Sequence, residues 1–250
     1  MQGLLPLLKK EIKEQFKTYR FLVVMSVFLL FGLTTPLTLK YLPEIIKMAG
    51  EGVEMNFPPP TAIEALLSYA GDISQIGIFV IVLVVMGSIA NELQRGTALI
   101  VLSKPISRTA FVTAKLLALS MTSLVSLAAS SLVCFGYTVW LIGGADVSNF
   151  IGLNIMVGLF MVFSIAITLL FSSIFRSSLA AGGVALAVII GQAILTAVPK
   201  VGDFMPGQLL GWGNSILTGG DTYWSAMAVT VVLTILFVYL CQRALSSKDI

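Results

Sequence analysis

Six uncharged apolar stretches constrain this chain more than any other feature of its sequence. A helix needs about 20 mostly apolar residues to cross the hydrocarbon core of a membrane. Only 11% of the residues are charged, against about 25% in a typical soluble domain. The sequence therefore predicts an all-α integral membrane protein, with one transmembrane domain over residues 1–250. We predict spans at about 21–39, 73–91, 116–142, 150–175, 178–198 and 222–242.

The distribution of charge around these spans predicts their orientation. With the N-terminus in the cytoplasm, the inside segments hold twelve of the fifteen Lys and Arg residues, and eight of the twelve Asp and Glu residues lie outside. Because cytoplasmic segments carry the excess of Lys and Arg, we predict that both termini are cytoplasmic. Residues 40–72 and 200–221 then form external loops of a multi-pass protein of the plasma (inner) membrane.

Residues 1–20 predict a helix that lies on the membrane surface. Lysines fill one face of this helix, and apolar side chains recur at helical spacing on the other. The apolar positions are Leu5, Leu8, Ile12, Phe16 and Tyr19. This pattern is typical of an amphipathic interfacial helix on the cytoplasmic leaflet.

The spans lack the groups that most membrane enzymes and carriers need. The chain has no His, and no Asp, Glu, Lys or Arg lies deep inside a predicted span. We therefore expect no catalytic, cofactor-binding or metal site, and an ion-coupled carrier is the weakest alternative. Three mild polar side chains, Gln75, Asn154 and Gln192, are candidates for a translocation path, although helix–helix hydrogen bonding is their ordinary role.

The source of energy must lie outside this chain if it transports a solute. No G-x-x-x-x-G-K-[ST] phosphate loop occurs in the sequence, so the chain cannot bind ATP in that way. On the fifth predicted span, Gly183, Ala187 and Gly191 repeat every four residues. Such a small-residue stripe favours close helix packing, within the subunit or across a dimer.

The loop between the second and third spans reads NELQRGTALIVLSKPISR from residue 91. It turns at Gly96, and Thr97 can cap a short helix over 98–102. Pro105 breaks that helix, and Ser107 or Thr109 caps the third span. Five consecutive apolar residues in a cytoplasmic loop would expose apolar area to water, at a free-energy cost of about 25 cal/mol per Å², unless a partner covered them.

This loop resembles that of the ABC-transporter permeases of the type-2 exporter class. The shared pattern is E-x-x-x-G-T-x-x-x-x-L-S-x-P-I-S-R, followed by a lysine seven residues later, which is Lys115 here. The basic N-terminal helix, the six spans and the larger first external loop extend the resemblance over essentially the whole chain.

The resemblance implies that the 91–115 loop carries a short cytoplasmic coupling helix that binds a groove in a separate ATPase subunit. It implies a partnership with an ABC ATP-binding subunit, which holds ATP and Mg, with a second permease copy and with membrane lipid. We expect no nucleic-acid partner. The implied coupling residues are Glu92, Arg95, Gly96, Thr97, Leu99, Leu102, Lys104, Pro105, Ser107 and Arg108.

Two functions remain open at this stage. The first is a permease subunit of an ATP-driven exporter. The alternative is a membrane anchor or assembly factor that transmits ATPase motion to an external partner and moves no solute. Family members often carry charges at the start of the fifth helix or a large extracellular domain, and this chain has neither. A polysaccharide-type assembly is therefore less supported, and the substrate stays open.

Overall fold

The computed structural model describes residues 3–49, 59–96 and 107–246. Within those ranges every regular element is a helix, and no strand occurs. The α-helices there are α1 Leu4–Lys17, α2 Arg20–Ala49, α3 Ala62–Asp72, α4 Ile78–Val85, α5 Gly87–Gln94, α6 Arg108–Leu141, α7 Val147–Ile174, α8 Ser178–Thr196, α9 Gln208–Thr218 and α10 Trp224–Ser246.

Six of the described helical stretches are long and apolar enough to cross a membrane, which confirms the predicted fold class. The second of them is continuous from α3 to α5, and each of the others is a single helix. They are Arg20–Ile46, Ala62–Gln94, Arg108–Leu141, Val147–Ile174, Ser178–Thr196 and Trp224–Ser246.

The first three spans are longer than the sequence predicts. Helix α2 continues to Ala49 instead of ending at 39, the second span begins at Ala62 instead of 73, and α6 begins at Arg108 instead of 116. Within the described part of the predicted external loop 40–72, only residues 59–61 lie outside helices. The difference arises because the sequence criterion stops at the first charged side chain, whereas a helix tolerates charge at its ends.

The longer helices include ionisable side chains near their ends, whereas the prediction of uncharged spans concerned only their deep parts. Asp72 accepts a hydrogen bond from Thr35 Oγ1 at 2.6 Å, and Lys115 lies in the second turn of α6. The 33-residue helix Ala62–Gln94 is about 50 Å long, at 1.5 Å per residue. The hydrocarbon core is about 30 Å thick, so the ends of this helix extend beyond it.

Helix α7 forms the centre of the bundle. Within its most apolar window 78% of the residues are buried inside the chain, compared with 17% for α10. Helices α6, α8, α9 and α10 all pack against α7. The burial explains why α7 is apolar around its whole circumference, since a helix with neighbours on every side has no polar face.

The second span is interrupted twice. Residues Ile73–Gly77 form a π-helical turn, and a further break lies at Met86 between α4 and α5. At this break the Ser172 hydroxyl donates to the Met86 carbonyl at 2.7 Å, and it accepts from the Ile89 and Ala90 N–H groups at 3.1 and 3.0 Å. Ser172 thus stands between the Ala90 N–H and the Met86 carbonyl, which would bond each other in a regular helix.

Spans one and three approach closely at Gly32. A Cβ atom added there would lie 2.6 Å from the Ser130 carbonyl oxygen. The Ser130 hydroxyl donates to the Phe28 carbonyl and accepts from Tyr69 Oη at 3.0 Å. The first three spans are therefore joined by hydrogen bonds between small and polar residues, as expected where lipid gives helices no hydrophobic reason to associate.

The segment 200–221, predicted as an external loop, contains helix α9. Its buried side chains Leu209 and Trp212 lie where α9 packs against α7. Trp212 also meets Trp224 edge-on, with ring centroids 5.0 Å apart. With 11 residues, α9 is too short to cross a membrane and adds no further span.

Candidate functional site

The described ends of the 91–115 loop lie together at one end of the bundle, which we call the loop end. Helix α5 ends at Gln94, and Gly96 follows with φ at +70°, in the left-handed region that favours glycine. Of the two candidate caps for the third span, Ser107 is the one used, since its Oγ accepts from the Ala110 N–H at 3.2 Å. Five predicted coupling residues lie outside the described ranges, namely Thr97, Leu99, Leu102, Lys104 and Pro105.

A buried cluster of charged side chains joins three helices at the loop end. The Lys115 Nζ of α6 lies 3.1 and 3.0 Å from the two carboxylate oxygens of Glu11 on α1, and 2.8 Å from Glu92 Oε1 on α5. The side chain of Lys115 is 1% exposed and that of Glu11 is 5% exposed. Lys10 borders the cluster, with its Nζ 3.1 Å from Glu11 and 3.5 Å from Glu92. We call Lys10, Glu11, Glu92 and Lys115 the ion cluster.

The pKa values of the α1 residues fit this arrangement. Burial alone would raise the pKa of the Glu11 carboxyl, but the ammonium groups of Lys115 and Lys10 outweigh burial and hold that pKa below its ordinary value. Burial would lower the pKa of Lys10, but the carboxylates of Glu11 and Glu92 raise it above its ordinary value. Both groups are therefore charged at neutral pH, and each stabilises the charge of the other.

Three carboxylates at this site are close enough together to invite comparison with a metal centre. Glu11, Glu14 and Glu92 each offer an oxygen within 4.8 Å of the others. The ammonium groups of Lys115 and Lys10, however, already lie against them at ion-pair distance. The carboxylates thus have cations of the chain itself as partners, and their arrangement is that of an ion-pair network.

Arg108 also turns toward the bundle. Its Nη1 donates to the Leu245 carbonyl at 2.7 Å, in the last turn of α10. A cation near the C-terminus of a helix interacts favourably with the helix dipole and binds a carbonyl that has no partner within the helix. Arg108 therefore ties the sixth span to the start of the third, and among the predicted coupling residues with described side chains, Arg95 is the exposed charged one.

Helix α1 forms where the sequence predicts it, but it packs against the bundle through a polar face. Leu7, Glu11 and Gln15 are buried where α1 packs against α6. Leu5 and Phe16, which belong to the predicted apolar stripe, are exposed. Such an apolar stripe suits a membrane surface, so the interfacial position stays a prediction, to which the structure adds an attachment through Glu11.

The three candidate path residues do not form one site. Gln75 and Gln192 line the same cavity of about 520 Å³ between the second, fourth and fifth spans and α9. Asn154 lines a different, almost wholly apolar cavity of about 560 Å³ between α6 and α7. Its Nδ2 donates to the Phe150 carbonyl of its own helix at 2.8 Å, and its Oδ1 is buried with no hydrogen-bond partner in the described chain.

Sequence reasoning missed Glu11 and Lys10 as members of the site. A signal was present, because Leu4, Leu7, Glu11 and Gln15 fall on one helical face that changes from apolar to polar along its length. An acidic residue on a packing face needs a cationic partner. Lys115 belongs to the loop motif, but its position beside Glu11 depends on the packing of α1 against α6.

The six spans, the N-terminal helix attached to the loop end and the short helix α9 packed against α7 define a multi-pass helical membrane protein. The chain belongs to the ABC-2 family of transporter proteins, whose sequence model matches residues 5–215. It is therefore the permease subunit of an ABC transporter, a class of subunit that is generally non-catalytic and has an ATP-binding subunit as partner. The resemblance seen in the loop motif is confirmed.

The chain is also similar to the uncharacterized transmembrane protein YxlG of Bacillus subtilis (strain 168). The two are 28% identical over 226 residues, which cover 88% of this chain and 87% of the relative. The match thus extends over most of the membrane domain and is not confined to the loop motif.

Proposed function

We propose that this chain is the transmembrane subunit of an ATP-driven exporter in the plasma membrane, with both termini in the cytoplasm. It forms the translocation path as a dimer, and a separate ATPase subunit, which binds ATP and Mg, docks on the 91–115 loop. Leu99 and Leu102 form the apolar centre of the docking helix, and Arg95 and Lys104 lie at its charged edge.

The observation that carries this proposal is the ion cluster at the loop end. Lys115 and Glu92 are in contact at 2.8 Å. The helix that enters the loop and the helix that leaves it are therefore joined at the loop end. Glu11 joins α1 to the same point. A displacement of the loop by a nucleotide-driven partner would therefore move α1 and spans two and three together, which is the behaviour that mechanical coupling requires.

The small-residue stripe of α8 supports a dimer. Gly183 and Ala187 are exposed within the chain, and a Cβ atom added at Gly183 or Gly191 would meet no atom within 4 Å. The neighbouring face of α8, with Ala181 and Ala185, is the one buried in the bundle. The stripe is thus free for a second copy, as small residues in membrane helix interfaces generally are.

The test is co-purification with the ATP-binding subunit, followed by a measurement of its ATPase rate. Each buried leucine contributes about 1.5–3 kcal/mol, so Leu99→Ser with Leu102→Ser should weaken binding at least about 100-fold. A control replaces Lys13 and Lys17 by Ser, since both are exposed and lie outside the loop and the ion cluster.

Three results would count against parts of the proposal. Unchanged ATPase binding by a folded Leu99/Leu102 variant would remove the loop as the docking site. ATP binding by the purified chain alone would contradict a non-catalytic subunit. ATPase coupling without solute export in vesicles, over a panel of lipids, peptides and ions, would favour the assembly-factor alternative.

A further inference from the structure

The cavity that Gln75 and Gln192 line has features of a ligand site. It lies between the second, fourth and fifth spans, and the N-terminal part of α9 closes one side. Its wall is mostly apolar, but five polar side chains interrupt that wall, and none of the described residues that line it is charged. These polar residues are Ser74, Gln75, Gln192, Thr196 and Asn214.

Gln192 presents an unused hydrogen-bond donor at this cavity. Its Oε1 accepts from the Gly207 N–H at 2.8 Å, and because only the oxygen of an amide can accept, this bond fixes the orientation of the side chain. Its Nε2 is buried and has no hydrogen-bond partner within the described chain. The residue is 9% exposed, and buried polar groups are rarely left without a partner.

Gly207 packs closely against the helix turn that carries Gln192. Thr196 Oγ1 donates to the main-chain carbonyl of Gln192 at 2.8 Å, and a Cβ atom added at Gly207 would lie 2.5 Å from Thr196 Oγ1. A side chain at residue 207 would push α9 away from the fifth span. The glycine therefore lets the backbone approach and orient the amide whose Nε2 remains available.

The opposite wall carries an independent irregularity. The π-helical turn Ile73–Gly77 interrupts the second span where Ser74 and Gln75 line the cavity. A π turn adds a residue to a helical turn, is costly relative to a regular helix and is frequent at functional sites. Here it turns Gln75, a second amide, toward the same space.

We propose that this cavity binds the ester or amide carbonyl of an uncharged amphipathic molecule, with Gln192 Nε2 as the donor. The absence of charged lining residues favours an uncharged ligand, since a buried ion would have no partner there. The apolar wall receives the hydrocarbon part of the molecule. This inference rests on the proposed function and names the class of substrate that the permease takes.

The experiment uses the purified chain in lipid nanodiscs with a diazirine analogue of dioctanoylglycerol as the probe. Crosslinked peptides are mapped by mass spectrometry, and the specific signal is the part that excess unlabelled dioctanoylglycerol removes. We expect this signal in peptides from the second and fifth spans and α9. The dialkyl ether analogue, which lacks the carbonyls, and dioctanoyl phosphatidic acid, which is charged, should compete at least about tenfold less well.

Two variants and a control make the test specific. Gln192→Leu removes the donor and should reduce the specific signal about tenfold, the value of one hydrogen bond. Ala193→Phe fills the cavity and leaves the Gln192–Gly207 bond in place, so loss of signal there does not depend on a disturbed loop. Asn154→Leu removes an amide from the other cavity and should change nothing.

The proposal would be overturned if Gln192→Leu, Ala193→Phe and Asn154→Leu were all labelled specifically to the wild-type extent. Equal competition by the ester, the ether and the phosphatidic acid would also overturn it. Because this assay contains no ATPase subunit, its failure leaves the proposed function intact. If the chain is labelled specifically but does not change the rate of its ATPase subunit, the result supports the ligand site and counts against the proposed function.

Discussion

Replacement of Lys115 by Met tests the ion cluster most directly. Lys115 is 1% exposed and contacts Glu11 and Glu92 at 2.8–3.1 Å. Methionine fills a similar volume but removes the charge, so the carboxylates of Glu11 and Glu92 would lose a cationic partner that they share. Removing one partner of a buried ion pair costs about 3–5 kcal/mol, because the remaining charge is left buried without compensation.

The same reasoning predicts a non-additive double mutant. If the cost comes from the stranded carboxylates, then Glu11→Gln combined with Lys115→Met should destabilise less than the sum of the single changes, by about 1–3 kcal/mol. Lys13→Met is the matched control, because Lys13 is an exposed lysine on the same helix as Glu11. An exposed substitution of this kind should stay within about 0.5 kcal/mol of wild type.

The two native cysteines provide the assay. Cys134 and Cys241 are the only cysteines of the chain, and both are fully buried, so a thiol-reactive fluorophore reports their exposure as the protein unfolds in detergent. At about 2–4 °C per kcal/mol for a chain of this size, Lys115→Met should melt of the order of 10 °C below wild type. A Lys115→Met protein that melts with the Lys13→Met control would refute the reasoning.

Three further predictions use the same melting assay. The pKa of Glu11 lies below its ordinary value of 4.5. Its ion pairs therefore stabilise the fold fully above about pH 4.5, and this contribution is lost as the pH falls through the lowered pKa of the folded state. Wild type should lose more stability than Glu11→Gln between pH 6 and 3.5. Ser172→Ala should cost about 1–3 kcal/mol, because buried groups at the second-span break lose a hydrogen-bond partner. Gly32→Ala should lower the melting temperature by forcing spans one and three apart. Gly136→Ala, with open space around it in the described chain, should be neutral or stabilising by up to about 1 kcal/mol, and equal effects at the two glycines would contradict the close approach at Gly32.

Hydropathy and local signals predict much of this fold. The six spans follow from their length and apolar composition. A capping box, which requires only Thr61 and Glu64 three residues later, begins α3, with the Thr61 N–H donating to Glu64 Oε2 at 2.9 Å. Ser107 as a cap is equally local. These features depend on residues within one helical turn, so neighbouring sequence is sufficient to identify them.

The span boundaries and the ion cluster could not be obtained in that way. Lys115 and Glu11 are separated by 104 residues, and only tertiary packing brings them into contact. Once paired, their charges allow the helices to extend past the limits set by an uncharged-residue criterion. Glu92 and Arg108 read as surface charges because hydropathy gives no information about the partner on another helix.

The location of charge in the structure limits how ATP hydrolysis could drive this permease. The ion cluster at the loop end binds α1 to spans two and three, whereas the described residues that line the Gln192 cavity carry no charge. The mechanical coupling that we propose therefore needs no charged group among those residues. The second span connects the two sites, and its breaks at Met86 and at Ile73–Gly77 divide it into short rigid pieces. A displacement at Glu92 would reach Gln75 by rotation about these two points, since a helix changes direction most easily where its hydrogen-bond ladder is already interrupted.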